Sequence, residues 1–156
     1  MLITEDMIDF ILFLKKHRVK FVLVGGFAVS YYGYVRTTQD IDILVFPSTA
    51  NAKKMVAVLK DFGFGGICFS QAVFEKEGTA IHLGAEPNRI DILTSLKGVS
   101  NGSIFLNKKA IRLRNISVNV ISFKDLLRCK RSSSRLKDLA DAEMLEKKLF
   151  TPRTAH

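Results

Sequence analysis

The sequence predicts an α/β chain in which a small mixed β-sheet is flanked by helices, with a helical segment at the C-terminal end. Three observations carry this. Short β-branched and aromatic runs at Phe21–Val24, Thr38–Phe46 and Arg89–Thr94 read as strands. Apolar residues recur at helical spacing around them, as at Met7, Ile8, Ile11, Leu12 and Leu14. Glycines and prolines, Gly25-Gly26, Pro47 and Pro87 among them, punctuate the boundaries.

In chain order, Thr4 is placed to cap a helix running to Lys16, and the basic turn Lys15–Lys20 leads into the strand Phe21–Val24. His17 in that turn reads as a solvent-exposed residue at the helix end. Gly25-Gly26 stops the strand and lets the backbone turn tightly. Phe27–Tyr32 is a short helix ending near Gly33. After the strand Thr38–Phe46, Ser48 or Thr49 caps a helix over 50–62 that crosses over and covers the sheet. Gly63–Gly66 is a turn without a phosphate-binding glycine pattern, and Ser70–Glu77 is a loose helical turn or two. Thr79–Leu83 and Arg89–Thr94 form two strands joined by the polar turn Ala85–Asn88. Leu96–Asn107 reads as a loop with one turn of helix at most, and two short strands follow at Ala110–Leu113 and Ile116–Ile121. Ser122 caps a helix at Phe123–Lys130 with Asp125 in its first turn. The last helix spans Leu136–Leu149, with Leu139, Ala142, Leu145 and Leu149 as its apolar stripe.

A chain of 156 residues fits one domain, expected over 1–150, with a flexible tail at 151–156. At 47% hydrophobic and 25% charged it has the composition of an ordinary soluble protein with a proper core. Cys68 and Cys129 lie far apart with no metal-ligand spacing, which fits a reducing cytosol, so a cytoplasmic location is expected. Glu5, Asp6 and Asp9 stand where a signal peptide would be basic, and the longest apolar stretch is too short to span a bilayer. No membrane partner is expected. The net charge of +9 is uneven. Met1–Leu96 holds 10 Lys+Arg against 10 Asp+Glu, and Lys97–His156 holds 14 against 5, a difference of +9. This excess has two readings: a surface for a polyanion such as RNA, or a solvated basic face.

The chemistry concentrates in Phe21–Val45. Side chains alternate along a strand, so Asp40 and Asp42 share one side while Ile41 and Ile43 point into the core. Two ionised carboxylates on one face repel unless a cation lies between them, and a hard divalent ion such as Mg²⁺ takes oxygen ligands. Gly25 and Gly26 offer bare backbone N–H groups to an anion. Asp91, between Ile90 and Ile92, is the other carboxylate set in an apolar strand. It is either solvent-facing or, if its hairpin lies beside the Asp40 strand, part of the same cluster. His82 reads as a satisfied sheet side chain. Arg36 makes a surface salt bridge or contacts a nucleotide. In Lys130–Asp141, Asp138 pins the last helix through a cation, or Lys130, Arg135 and Lys137 approach phosphates.

The glycine turn with its Ala28-Val29 sequel, Gly33, Arg36, the Asp-Ile-Asp triplet at 40–42, Pro87–Leu93 and Lys130–Asp141 together resemble the nucleotidyltransferase superfamily of DNA polymerase beta type. The closer resemblance is to small bacterial and archaeal nucleotidyltransferase-like proteins that include AbiEii-type toxins, from the first helix to Glu146. The resemblance implies a nucleotidyltransferase-like fold and an enzyme that moves a nucleoside monophosphate from an NTP such as ATP to an acceptor. Asp40, Asp42 and Asp91 would be catalytic and hold Mg²⁺ or Mn²⁺. Gly25, Gly26, Arg36, Lys130, Arg135 and Lys137 would meet the nucleotide. Toxin members imply tRNA or a protein hydroxyl as acceptor and a cognate antitoxin as partner. The chain departs from the pattern at Gly26, where a serine is usual, at Ser134, where the pattern has glycine, and at Leu136, where it has proline. The first departure leaves an alternative: a non-catalytic nucleotide- or RNA-binding module, or a toxin–antitoxin component, on the same fold.

Overall fold

The computed structural model describes residues 3–35, 38–64 and 69–150. Arg36, Cys68, the second half of the Gly63–Gly66 turn and the tail at 151–156 lie outside the described residues.

Helix α1 (Glu5–Lys16) begins where the Thr4 side chain accepts a hydrogen bond from the Met7 N–H at 3.3 Å, and buries Met7, Ile8, Phe10, Ile11 and Leu14. It ends in a Schellman motif: the Arg18 N–H donates to the Lys15 carbonyl and the Val19 N–H to the Leu14 carbonyl, both at 3.0 Å. Arg18 takes the left-handed position of that motif with φ of 56°, where glycine is the usual residue and a side chain costs about 1–2 kcal/mol. His17 is half-buried rather than solvent-exposed, because the kinked segment Lys60–Phe64 brings Asp61 Oδ2 to 2.7 Å from its Nε2.

Strand β1 (Phe21–Val24) is buried throughout, and helix α2 (Gly25–Tyr31) follows with no intervening loop. The glycine pair is therefore the start of the helix, two residues earlier than the apolar spacing indicates, with the bend made at Gly25 by its φ of +62°. Strand β2 (Asp40–Val45) leads to helix α3 (Thr49–Leu59), where Ser48 is the cap. A 3₁₀ turn at Gln71–Phe74 precedes the hairpin β3 (Ala80–Leu83) and β4 (Arg89–Leu93). The Leu96–Asn107 segment is more ordered than its Gly/Ser/Asn content indicates: Ser100 caps a helix α4 (Asn101–Asn107), whose Asn101 and Ile104 are buried. Asn101 is held by its amide, which donates to the Thr94 carbonyl at 2.9 Å. Strands β5 (Lys109–Leu113) and β6 (Ile116–Val120) form a second hairpin, followed by α5 (Phe123–Arg131), capped by Ser122, and α6 (Leu136–Phe150). Only the middle of the expected α6 stripe is buried: Ala142 and Leu145 are covered, while Leu139 and Leu149 are exposed.

The six strands make one mixed sheet in the order β3-β4-β2-β1-β6-β5. The two hairpins are antiparallel, as is β1 with β2, whereas β4 runs parallel to β2 and β6 parallel to β1. Val22, Leu23, Ile41, Ile43, Leu44 and Ile92 in the central strands are fully buried, as sheet residues covered on both faces must be. Helix α1 touches α3, and α5 touches α2, α4 and α6. That second group of helices brings Lys130 and Asp138 to the ends of β2 and β4 where the carboxylates stand. Among the described residues no helix is long and apolar enough to cross a membrane.

Candidate active site

The site is a row across four strands. In the β2–β4 register Asp42 lies beside Asp91, in the β3–β4 register Asp91 lies beside His82, and in the β1–β2 register Asp42 lies beside Val24. Partners in register point to the same side of a sheet, so His82, Asp91 and Asp42 line up next to the first residue of α2. Asp40, two residues before Asp42, joins them. Oxygen atoms of Asp40, Asp42 and Asp91 all lie within 4.8 Å of one another. The neighbouring Ile41 and Ile43 point away into the core and are fully buried, which anchors the strand that carries the carboxylates.

Gly25 has to be glycine here. Its φ is positive, and a β-carbon on it would stand 2.7 Å from Asp42 Cγ. Val24, as N-cap of α2, supplies no side-chain hydrogen bond, so the first-turn N–H groups carry no side-chain cap. Gly26 lines the cleft of about 550 Å³ that also contains Asp40, Asp42 and Asp91. Gly25 lines an adjoining hollow of about 300 Å³ between Asp42 and Lys130.

The three carboxylates differ electrostatically. Burial, then the neighbouring charges of Asp40 and Asp91, push the Asp42 carboxyl up from 3.8 to about 7, with Lys130 acting the other way. Burial works in the same direction at Asp91, but the hydrogen bonds from Arg89 and His82 and the charge of Arg89 outweigh it and hold that carboxyl below its ordinary value. Arg89 grips Asp91 with both arms of its guanidinium, Nε to Oδ1 at 2.8 Å and NH2 to Oδ2 at 3.2 Å. His82 Nδ1 stands 2.7 Å from Asp91 Oδ1. Asp40 Oδ1 accepts from the Thr38 hydroxyl at 2.7 Å. Three carboxylates, one of them reluctant to ionise, form an all-oxygen donor set that suits a hard divalent cation.

Lys130 closes the cleft from α5. It is buried and donates to Asp138 Oδ1 at 2.8 Å, with Asp141 Oδ2 at 3.2 Å. Asp138 also accepts from the Ser133 hydroxyl at 2.7 Å. Burial tends to raise the Asp138 pKa, yet the hydrogen bonds from Lys130 and Ser133 pull it below the ordinary value. The pinning of α6 by Asp138 is thus realised, with Lys130 as the cation. Arg135 and Lys137 are exposed and line the same cleft.

No protein-family model matches the chain, and no curated protein matches it in sequence. Solved structures do match in shape. A lincomycin-bound lincosamide antibiotic adenylyltransferase, LnuA, is 15% identical with a TM-score of 0.54, covering 92% of this chain and 97% of that one. A protein of Thermotoga maritima assigned as a nucleotidyltransferase is 18% identical with a TM-score of 0.57, covering 92% and 89%. The antibiotic-resistance factor ANT(2'')-Ia is 10% identical with a TM-score of 0.55, covering 92% and 82%. The chain has a nucleotidyltransferase-like fold.

On this nucleotidyltransferase-like fold the residues singled out from sequence come together around one cleft: Asp40, Asp42, Asp91, Gly26, Lys130, Arg135 and Lys137 line it, and Gly25 abuts Asp42. Arg36 lies outside the described residues. His82 is satisfied as a sheet side chain, but its partner is Asp91, which places it in the site. Arg89 was missed altogether. The signal for it was available: in a strand, residue 89 must share the side of residue 91.

Proposed function

We propose that the chain is a metal-dependent nucleotidyltransferase that moves a nucleoside monophosphate from an NTP to an acceptor hydroxyl or phosphate. The observation that carries this is the convergence of Asp40, Asp42 and Asp91 within 4.8 Å beside the Gly25-Gly26 turn, whose second glycine lines the same cleft. Asp40, Asp42 and Asp91 would hold Mg²⁺ or Mn²⁺, which supplies charge neutralisation to a triphosphate. The chain's own groups then divide the work. Backbone N–H groups at Gly25 and Gly26 meet phosphate oxygens, without the serine hydroxyl usual at the second position. Arg135 and Lys137 offset negative charge from the rim, and Lys130 does so from the wall. Asp91, turned toward the cluster from the neighbouring strand, accepts the acceptor's proton.

The basic excess of the chain and its exposed Arg135 and Lys137 favour tRNA or another RNA as acceptor over a protein hydroxyl. The neighbours named for antibiotics add small-molecule hydroxyls to the acceptors worth assaying. The decisive experiment incubates the protein with labelled NTPs, Mg²⁺ and bulk tRNA, alongside Asp42→Ala. Label transfer that disappears in the variant supports the enzyme. A second reading, a nucleotide- or RNA-binding module without chemistry, draws on Gly26 and on the Arg89 clamp over Asp91. It predicts RNA retained equally by both proteins and no transfer by either. Copurification of a neighbouring-gene product would identify a toxin–antitoxin pair.

A further inference from the structure

A second cavity, of about 490 Å³, lies at the other end of β1 and β2. Val24 pairs with Asp42 but Phe21 with Val45, so the start of β1 is three residues, about 10 Å, from the carboxylate row. Nothing in nucleotidyl transfer as read above uses it. Lys15, Arg18, Lys20 and Lys108 line it, and among the described residues no carboxylate does. Among the described residues Lys15 Nζ and Lys108 Nζ donate to backbone carbonyls, of Ser117 at 2.6 Å and Phe105 at 2.8 Å, and neither makes an ion pair with a carboxylate. Arg18 occupies its left-handed position where glycine would be easier, and that choice keeps a cation on the rim.

The rest of the lining is apolar and aromatic. Phe46 and Phe105 stand edge-to-face with ring centres 5.1 Å apart, and Val19, Phe21 and Val118 form a floor. The volume lies within the range that small organic ligands occupy. A small inorganic anion would leave the rings unmatched, and an uncharged apolar ligand would leave four cations unmatched. We infer that this cavity binds a nucleoside phosphate, with the base against Phe46 and Phe105 and the phosphate among the four cations. Stacking on a ring face and paired phosphate contacts are the recurring means of holding such a group. The same chemistry is presented by a free mononucleotide and by one residue of a single-stranded RNA.

The test uses ¹⁵N amide spectra of the full chain in EDTA, which suppresses metal-dependent binding at the carboxylates. AMP, a single-stranded hexaribonucleotide and inorganic phosphate are titrated separately. Shifts of the Lys20, Val118 and Asn119 amides with AMP or the hexanucleotide are expected, weaker by at least about tenfold in Lys20→Ser/Lys108→Ser. Arg18→Gly provides the folding control: it should melt no lower than the native chain while losing affinity. A hexanucleotide that binds more tightly than AMP, with a steeper salt dependence, identifies an RNA strand; equal affinities identify a free nucleotide. Shifts confined to the neighbourhood of Gly25 and Asp42, equal affinity for phosphate and AMP, or variants that bind unchanged would each overturn the assignment.

Discussion

Gly25 and Asp42 are packed so closely that a β-carbon on the glycine would lie 2.7 Å from the Asp42 carboxyl carbon. Gly33, by contrast, has φ of +106° but its nearest neighbour, Lys148 Cδ, would lie at 3.9 Å. Gly33→Ala should therefore cost only the left-handed backbone term, about 1–2 kcal/mol. Gly25→Ala should cost that and also displace Asp42, abolishing divalent-cation binding. Urea denaturation of both variants with and without Mg²⁺ checks this: Mg²⁺ should stabilise Gly33→Ala and leave Gly25→Ala unmoved.

Asp42 sets the pH dependence. Its pKa is raised from 3.8 to about 7 on folding. A carboxyl with a raised folded pKa contributes stability that is full below the unfolded value and is lost as pH rises through the folded one. The metal-free chain should accordingly lose stability as pH climbs from 3.8 to about 7, and Asp42→Asn should flatten that slope. Cation binding demands the ionised carboxylate, so it should release a proton and tighten over the same interval. Calorimetry in buffers of different ionisation enthalpy reads the proton directly.

Lys130 is buried between Asp138 and Asp141. Removing the shared cation from two poorly solvated carboxylates is expected to cost about 3–5 kcal/mol, so Lys130→Met should lower the urea midpoint well beyond what Lys137→Ser does on the exposed rim. Because the Asp138 pKa is lowered on folding, its contribution is present above the ordinary carboxylate range and fades as pH falls through the folded value. In Lys130→Met that loss on acidification should largely disappear. Midpoints of the two proteins measured from neutral to acid pH would converge if the reading holds.

Arg89 competes with any cation for Asp91, since its guanidinium occupies both carboxylate oxygens that a metal needs. Arg89→Gln should bind Tb³⁺ or Mn²⁺ severalfold more tightly, because it removes a positive charge beside the cluster. Luminescence titration of the variant measures this; unchanged or weaker binding would mean that the guanidinium helps build the site.

The alternation of polar and apolar residues in Asp40–Ile43 already placed both carboxylates on one side, and hydroxyl caps at Thr4, at Ser48 or Thr49, and at Ser122 marked three helix starts. These are local matters: a strand's period and a cap's hydrogen bond involve residues a few positions apart. Helix α4 was legible only as a single turn because it is short and its residues have low helix propensity; Ser100 caps it by accepting from the Ser103 N–H, and the buried Asn101 amide ties it to the Thr94 carbonyl. Arg89 was legible in principle by the same alternation that places Asp91.

What the chain's own order of residues determined is the set of elements and the carboxylates they carry. What tertiary structure decided is that β4 lies parallel to β2 in the one register that sets Asp91 beside Asp42, with Lys130 delivered from α5 and Arg18 turned toward a second cavity. Pairing between strands some fifty residues apart depends on which buried faces fit together across the whole core, and no local pattern encodes that fit.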